Sequence, residues 1–184
     1  MKRSILAAAL MFAFGSAHAV STGTINFEGE ITDATCDVAV NGDTSGLATV
    51  KLPEVNKSAL AVKDATAGGV LFTMTLSNCD LGTDVPVTKA SVFFQAGDTV
   101  DLNTGRLKQT ATTDAATLVS LQLFDPEAGK PIKVGYASQI DDNTYKTITA
   151  SGTADLHYGV RYYAEGAVEP GKVTSNVVYN LMYK

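Results

Sequence analysis

Hydrophobic and polar residues alternate along much of this chain, which is the pattern of β-strands that bury one face. The segment "TINFEGEIT" at 24–32 places Ile25, Phe27, Gly29 and Ile31 on one face and polar residues on the other. The last eight residues, "VVYNLMYK", do the same with Val177, Tyr179, Leu181 and Tyr183. The same period of two predicts further strands at 70–79, 90–96, 117–125 and 153–166.

Turn-forming residues separate the predicted strands. Clusters of Gly, Asn, Asp, Thr and Pro occur in "VNGDTSG", "DLNTG" and "DPEAGKP", and these residue types favour turns. Only the segment 54–62 has the features of a short helical turn. Many short strands without intervening helices favour an all-β sandwich, and no repeat or linker indicates a second domain.

The first nineteen residues have the features of a secretory signal peptide. A basic "MKR" precedes an apolar run, and Ala17, His18 and Ala19 form a small-x-small cleavage site. The apolar run is short for a membrane span and polar sequence follows it. We therefore expect an exported chain that begins at Val20 and contains no transmembrane span.

The charge balance argues against nucleic-acid binding. Without Lys2 and Arg3, 12 of the 14 basic residues remain against 19 acidic ones, a formal net charge of −7. No cluster of Lys and Arg is visible, and such a cluster supplies the electrostatic attraction to nucleic acid.

The chain has two cysteines, Cys36 and Cys79. An exported protein meets an oxidising compartment, so a disulfide between them is the expected state. On the chain-entropy estimate it would stabilise the fold by roughly 4 kcal/mol. Two reduced structural thiols are the alternative.

The sequence offers little for catalysis or metal binding. His157 is the one histidine after the predicted cleavage site, and it lies on the polar face of its strand beside Asp155. A solvated or hydrogen-bonded strand residue is the favoured interpretation. After that cleavage site, no second histidine is present for a zinc site. The segments 80–84 and 141–144 are similar to calcium loops in composition but lack an EF-hand pattern. The sequence predicts no enzyme, no metal and no cofactor.

The first and last predicted strands leave two architectures open. In one, both strands lie within a complete sandwich, which periodicity alone favours. In the other, the sandwich lacks a strand beside the last one, and the opening segment of another copy supplies it by strand addition. Gly29 fits the second architecture, because a glycine within a strand can mark close approach to a partner. An ordinary bulge is the alternative explanation for it.

Several motifs together resemble the chaperone–usher pilins, and specifically the type 1 fimbrial subunit family. They are "GTINFEGEITDATC", "LSNCD" and "RYYAEGAVEPG", followed by a final strand with penultimate Tyr183. Gly171 is the fourteenth residue from the C-terminus, as the pilin motif of that family expects. The resemblance extends over essentially the whole chain after the predicted signal peptide.

The resemblance implies an incomplete immunoglobulin-like sandwich that lacks its last strand. A periplasmic chaperone would lend a strand beside the final pilin strand, and an outer-membrane usher would exchange it for the N-terminal segment of a neighbouring pilin subunit. The implied donor residues are Ile25, Phe27, Gly29 and Ile31. Cys36 and Cys79 match the disulfide of the family. The implied acceptor groove and chaperone contacts are Gly171, Val177, Tyr179, Leu181, Tyr183 and Lys184, the last through its carboxylate.

The resulting prediction is a structural subunit of a cell-surface fimbria of a Gram-negative bacterium that supports adhesion. Residues 1–19 would be the signal peptide, 20–32 the donor-strand extension and 33–184 the pilin domain. A shaft subunit, most simply the major pilin, fits the length. A minor adaptor pilin is the nearest alternative, and a secreted, monomeric, carbohydrate-binding β-sandwich is the alternative of a different class.

Overall fold

The computed structural model describes residues 24–83 and 86–184. The predicted signal peptide and the first residues of the predicted donor segment lie outside the described residues. The chain divides into two units, Met1–Glu30 and Ile31–Lys184. In the first unit, residues 24–30 have no regular secondary structure and are exposed. All the strands described below belong to the second unit.

The described residues form ten strands, one 3₁₀ helix and one short α-helix. The 3₁₀ helix is Lys57–Leu60 and α1 is Gln139–Asp142. The strands are β1 Thr35–Val40, β2 Thr66–Asp80, β3 Lys89–Phe94, β4 Val100–Asp101, β5 Arg106–Lys108, β6 Thr117–Asp125, β7 Lys130–Pro131, β8 Lys146–Thr147, β9 Ala154–Glu169 and β10 Tyr179–Tyr183.

The strands form two antiparallel sheets. The larger has the order β1-β2-β9-β6-β5-β4, with β7 added beside β6. The smaller has the order β10-β3-β8. The long strand β9 pairs with both β2 and β6 and is the centre of the larger sheet. β1 and β10 are therefore the terminal strands of different sheets.

The main core lies between the inward faces of the two sheets. Tyr158 of β9 is buried, and its ring packs edge-on against Phe94 of β3 with the centroids 5.1 Å apart. The Tyr158 hydroxyl accepts a hydrogen bond from the Val92 N–H at 3.0 Å, which ties the two sheets together. Apolar side chains at alternate positions of β2, β6 and β9 complete the core: Phe72, Met74, Leu76, Leu121, Leu123, Leu156 and Val160.

A smaller apolar cluster lies near the far ends of β6 and β9. Leu60 of the 3₁₀ helix packs there with Val119, Ala164 and Val168. The 3₁₀ helix begins after Asn56, whose side-chain oxygen accepts a hydrogen bond from the Ser58 N–H at 2.9 Å, a capping contact that favours helix initiation at this point.

Most of the long predicted strands are present, with one correction. The predictions at 70–79, 90–96, 117–125 and 153–166 correspond to β2, β3, β6 and β9, and the helical turn expected within 54–62 is the 3₁₀ helix. The strand expected at 24–32 was wrong for the chain by itself, because residues 24–32 have no regular secondary structure. A strand needs the backbone of a neighbour. The first observed strand is β1, which the alternation analysis did not predict.

Candidate functional site

The outer edge of β10 is open. On its other side, β10 pairs with β3 through alternate residues. The Val178 carbonyl accepts from the Gln95 N–H at 2.8 Å, and the Lys184 N–H donates to the Lys89 carbonyl at 3.0 Å. Because antiparallel bonding alternates along a strand, the N–H and C=O groups of the intervening residues face away from β3. Within the described chain, β10 has no second neighbouring strand. The residues whose backbone faces the open edge are Tyr179, Leu181 and Tyr183.

The side chains of these same residues turn toward the core. Val177, Tyr179, Leu181 and Tyr183 are half-buried and pack against the main core cluster. By contrast, Val178 is 61% exposed. The structure thus brings together four of the six residues that the resemblance assigned to an acceptor groove. Tyr179, Leu181 and Tyr183 lie on one face of β10, and Val177 lies in the segment just before it.

A groove opens beside the segment that leads into β10. Its volume is about 410 Å³. Its floor consists of core side chains from both sheets: Phe72, Met74, Phe94, Leu107, Leu121, Leu123 and Val160. One wall contains Ser175, Asn176, Val177 and Tyr179, and the opposite wall contains Val38, Val40 and side chains of the 46–52 segment. The groove therefore exposes the apolar interior between the edge strands of the two sheets.

One polar group in this wall lacks a partner. The Ser175 hydroxyl is buried and makes no hydrogen bond among the described residues. A buried hydroxyl without a partner costs roughly 1–3 kcal/mol. A polar backbone placed in the groove would offer it both donors and acceptors.

The far end of β10 is fixed by polar contacts. Burial raises the pKa of the Tyr183 hydroxyl, although a hydrogen bond with the Cys36 backbone opposes this effect. The Lys184 carbonyl accepts from the N–H groups of Thr88 and Lys89 at 2.8 Å, and the Lys184 ammonium lies 4.0 Å from the centre of the Tyr145 ring.

The predicted donor residues are exposed. Ile25, Phe27 and Ile31 are 77%, 89% and 94% exposed, respectively. A Cβ placed on Gly29 would meet nothing within 4 Å. The apolar side chains of this segment are thus exposed to solvent.

Comparison with known proteins identifies the family. The family described as type-1 fimbrial protein, A matches residues 52–184. The major fimbrial subunit SMF-1 of Stenotrophomonas maltophilia is 40% identical over 163 residues, which cover 88% of this chain and 92% of that protein. This chain belongs to the type-1 fimbrial protein family. It is a fimbrial subunit, as the sequence motifs predicted.

Solved pilus structures share the fold of this fimbrial subunit. The P pilus rod subunit PapA matches with a TM-score of 0.60 at 19% identity, covering 81% of this chain and 99% of that chain. A subunit from a structure of a chaperone–usher pilus matches with a TM-score of 0.56 at 19% identity, covering 90% and 98%. The predicted fold class, an all-β, incomplete immunoglobulin-like sandwich, is confirmed.

Gly171 lies outside the groove lining of the fimbrial subunit. A Cβ at Gly171 would be 2.3 Å from the Ala116 nitrogen and 2.6 Å from the Asp114 oxygen. This close approach lets the next residue, Lys172, bond to the same segment: its N–H donates to Asp114 at 2.6 Å and its carbonyl accepts from Ala116 at 3.0 Å. Gly171 therefore allows the segment before β10 to lie directly against residues 114–116.

The groove wall opposite β10 was missed by the sequence analysis. Val38 and Val40 alternate with polar or small residues, so a strand signal was available there. The 46–52 segment follows the turn cluster "VNGDTSG" and has no regular secondary structure, so nothing in its pattern indicates that it borders a groove.

The disulfide predicted from export is present. Cys36 of β1 is bonded to Cys79 of β2. The link joins the edge strand beside the groove to the neighbouring strand of the larger sheet.

The single histidine of the described chain has ordinary strand contacts. His157 is exposed, and its Nδ1 lies 3.2 Å from the Thr73 hydroxyl. The neighbouring Asp155 accepts a hydrogen bond from Thr75 at 2.8 Å. Across residues 24–83 and 86–184, no group of three or more His, Cys, Asp or Glu side chains is arranged to hold a metal. No helix in this part of the chain has the length and hydropathy of a membrane span.

A cluster of hydrogen-bonded polar and charged side chains links β5, β6 and β9 on the larger sheet. The Arg106 guanidinium donates to both carboxylate oxygens of Glu165, at 2.8 and 2.9 Å, and the Ser120 hydroxyl donates at 2.7 Å. Partial burial acts to raise the pKa of Glu165, but the hydrogen bonds from Arg106 and Ser120 outweigh it and the pKa is lowered. The contacts join three strands, so their role is structural.

Proposed function

We propose that this fimbrial subunit polymerises by strand addition, with residues 20–32 of one copy entering the groove beside β10 of the next. Residues 1–19 are the signal peptide and 33–184 the pilin domain in this proposal. The observation that carries it is the open edge of β10 above an apolar groove. An open, apolar sheet edge is a site for strand pairing.

The donor segment and the groove complement each other in chemistry. A strand beside β10 would hydrogen-bond to the backbone of Tyr179, Leu181 and Tyr183, which faces the open edge. Alternate side chains of that strand would point to the apolar floor. The donor supplies Ile25, Phe27 and Ile31 at alternate positions, and burying them contributes roughly 5–9 kcal/mol at about 1.5–3 kcal/mol each.

Two smaller features support the same proposal. Gly29 has no side chain, so at its position the donor backbone can approach the groove closely. Ser175 has a buried hydroxyl with no partner among the described residues, and the inserted backbone would provide one. Because an unpaired buried polar group is costly, its satisfaction adds to the stability of the joined subunits.

The same edge explains the need for helpers before assembly. A subunit with an open apolar edge would pair indiscriminately, so a periplasmic chaperone first occupies the β10 edge. The outer-membrane usher then exchanges that strand for the segment 20–32 of a neighbouring pilin. The carboxylate of Lys184 serves as the chaperone anchor, and the fimbria is displayed on the cell surface and supports adhesion.

The subunit has a structural role and no catalytic one in this proposal. His157 is exposed and hydrogen-bonded to Thr73, with Asp155 bonded to Thr75. The family's role as a fimbrial subunit supports the same assignment. We therefore assign no nucleophile, metal or cofactor to this chain.

A truncation tests the proposal. The full chain and a chain lacking residues 20–32 after the signal peptide are each co-expressed with a periplasmic chaperone and its usher, and analysed by electrophoresis without boiling. We expect a heat-sensitive ladder with subunit spacing from the full chain, and from the truncated chain a chaperone complex without a ladder. A ladder from the truncated chain, or a monomeric full chain that unfolds cooperatively without a chaperone, would refute the proposal.

A further inference from the structure

The second edge of β3 is covered in an unusual way. β3 bonds to β10 through Lys89, Ser91 and Phe93, so the backbone groups of the alternate residues face the opposite side. On that side, the two-residue strand β8 pairs only with Lys89 and Ala90. The remaining length of the β3 edge, at Val92 and Phe94, has no neighbouring strand in the described chain.

The side chain of Gln139 takes the place of a strand at Phe94. Its Oε1 accepts from the Phe94 N–H at 2.9 Å, and its Nε2 donates to the Phe94 carbonyl at 3.0 Å. Gln139 is 1% exposed. A primary amide carries a donor and an acceptor in one plane, as a peptide group does. Gln139 therefore makes both bonds that a paired strand residue would make.

Two further buried side chains complete the cover at Val92. The Asn143 Nδ2 donates to the Val92 carbonyl at 2.9 Å, and the Tyr158 hydroxyl accepts from the Val92 N–H at 3.0 Å. Asn143 is buried, as is Tyr158. The four backbone groups of Val92 and Phe94 that could bond to an incoming strand are thus all occupied.

We propose that Gln139 and Asn143 are specificity-determining residues for assembly, because they close the β3 edge and leave the β10 edge for the donor strand. The proposal rests on strand addition as the proposed function. Backbone pairing carries little sequence information by itself, so a second open edge in the smaller sheet would accept the same donor. Closing it with side chains directs the donor to the edge that lies over the groove.

Hydrogen exchange followed by NMR tests this cover residue by residue. The full chain is measured alone and with excess synthetic peptide of the sequence 24–32. In the wild type, we expect the amides of Val92 and Phe94 to exchange slowly in both samples. We expect the amides of Leu181 and Tyr183 to exchange more slowly with the peptide than without it, because excess peptide fills every β10 edge that no donor segment occupies.

The double variant Gln139→Ala, Asn143→Ala removes two of the three side chains of the cover and frees the Phe94 N–H and the Val92 carbonyl. The Tyr158 hydroxyl still bonds to the Val92 N–H, and the Gly135 N–H still bonds to the Phe94 carbonyl at 3.0 Å. We expect its Phe94 amide to exchange about tenfold faster than in the wild type, and added peptide to protect the Phe94 amide as well as β10. Gln122→Ala is the matched control, because Gln122 is also a buried glutamine but bonds to Arg161 and lies outside β3. The control should behave as the wild type at Val92 and Phe94.

The outcomes separate this inference from the proposed function. A wild type whose β10 amides stay unprotected both alone and with excess peptide refutes strand addition, and this inference with it. A wild type protected at β10, with a double variant whose Phe94 amide gains no protection from the peptide, refutes the inference alone. If the double variant does not fold, the wild type decides: peptide-dependent protection of Val92 and Phe94 overturns the inference, and protection independent of peptide supports it.

Discussion

Replacing Phe27 by alanine should weaken the joint between subunits more than any polar change in the same segment. In the described chain the Phe27 side chain is 89% exposed, so nearly its whole apolar surface is available for burial in a neighbour. The groove floor that would receive it consists of core side chains, so the loss is that of a buried aromatic ring.

The size of the effect follows from the surface involved. Burying a phenylalanine side chain contributes about 2–3 kcal/mol, and each 1.4 kcal/mol changes an equilibrium constant about tenfold. We therefore expect the Phe27→Ala donor to bind about 30- to 150-fold more weakly than the unchanged donor.

The change in affinity can be measured by fluorescence anisotropy. Labelled peptides corresponding to residues 20–32 are titrated with a subunit that lacks its own donor segment. Glu28→Ala is the matched control, because Glu28 is adjacent and also exposed but lies on the polar face of the segment. It should alter the affinity by less than about threefold. A Phe27→Ala peptide within threefold of the unchanged one, or a Glu28→Ala peptide weakened as much as Phe27→Ala, would refute the reasoning.

Three further changes test parts of the pilin domain by urea unfolding of the peptide-bound subunit. Gly171→Ala should destabilise it by about 2–4 kcal/mol, because the new Cβ would collide with backbone atoms. Gly97→Ala is the control: its Cβ would meet nothing within 4 Å, so the free energy of unfolding should change by less than about 0.5 kcal/mol. Equal effects of the two substitutions would contradict this. Replacing Cys36 and Cys79 by alanine should cost about 4 kcal/mol for a loop of 43 residues, and a loss below about 1 kcal/mol would contradict it. The pKa of Glu165 is lowered by folding, so its contribution is present above the ordinary value of 4.5 and lost as pH falls through the folded pKa. Glu165→Gln should cost about 1–2 kcal/mol at pH 7 and progressively less as the pH falls below 4.5, and a cost independent of pH would contradict it.

The long strands could be read from the sequence because their alternation runs over many residues. β6 was predicted with its observed bounds, 117–125, and β2 and β9 extend beyond their predicted segments. β4, β5, β7 and β8 contain two or three residues each, and so few residues cannot display a period. Tertiary contacts alone define them.

Alternation identifies an apolar face but not the strand that pairs with it. The segment 24–32 has as clear a pattern as β6, yet it forms no strand in the described chain. In β10 the same kind of pattern correctly placed Tyr179, Leu181 and Tyr183 on the inward face. That one side of β10 is open could be expected only from the family resemblance, because edge position depends on the order of strands in the sheet.

Polar residues in loops were the hardest to interpret. The segment "DDNT" at 141–144 has the composition of a calcium loop, but the structure uses its members separately. Asp142 pairs with Lys130 at 3.0 Å, Asn143 bonds to the Val92 carbonyl, and the Thr144 N–H donates to the buried Asp125 at 2.7 Å. Each partner is distant in sequence, so local composition could not indicate these roles.

The position of the disulfide determines how a subunit would respond to pulling. In a fibre joined by donor segments, tension enters each subunit through the residues that precede β1, and Cys36 is the second residue of that strand. The covalent link passes the force directly to Cys79 in β2. The intervening 37–78 stretch, with its hydrogen bonds to β9, is then shielded from extension, so a stretched fibre would lengthen elsewhere before this part of the sheet unravels.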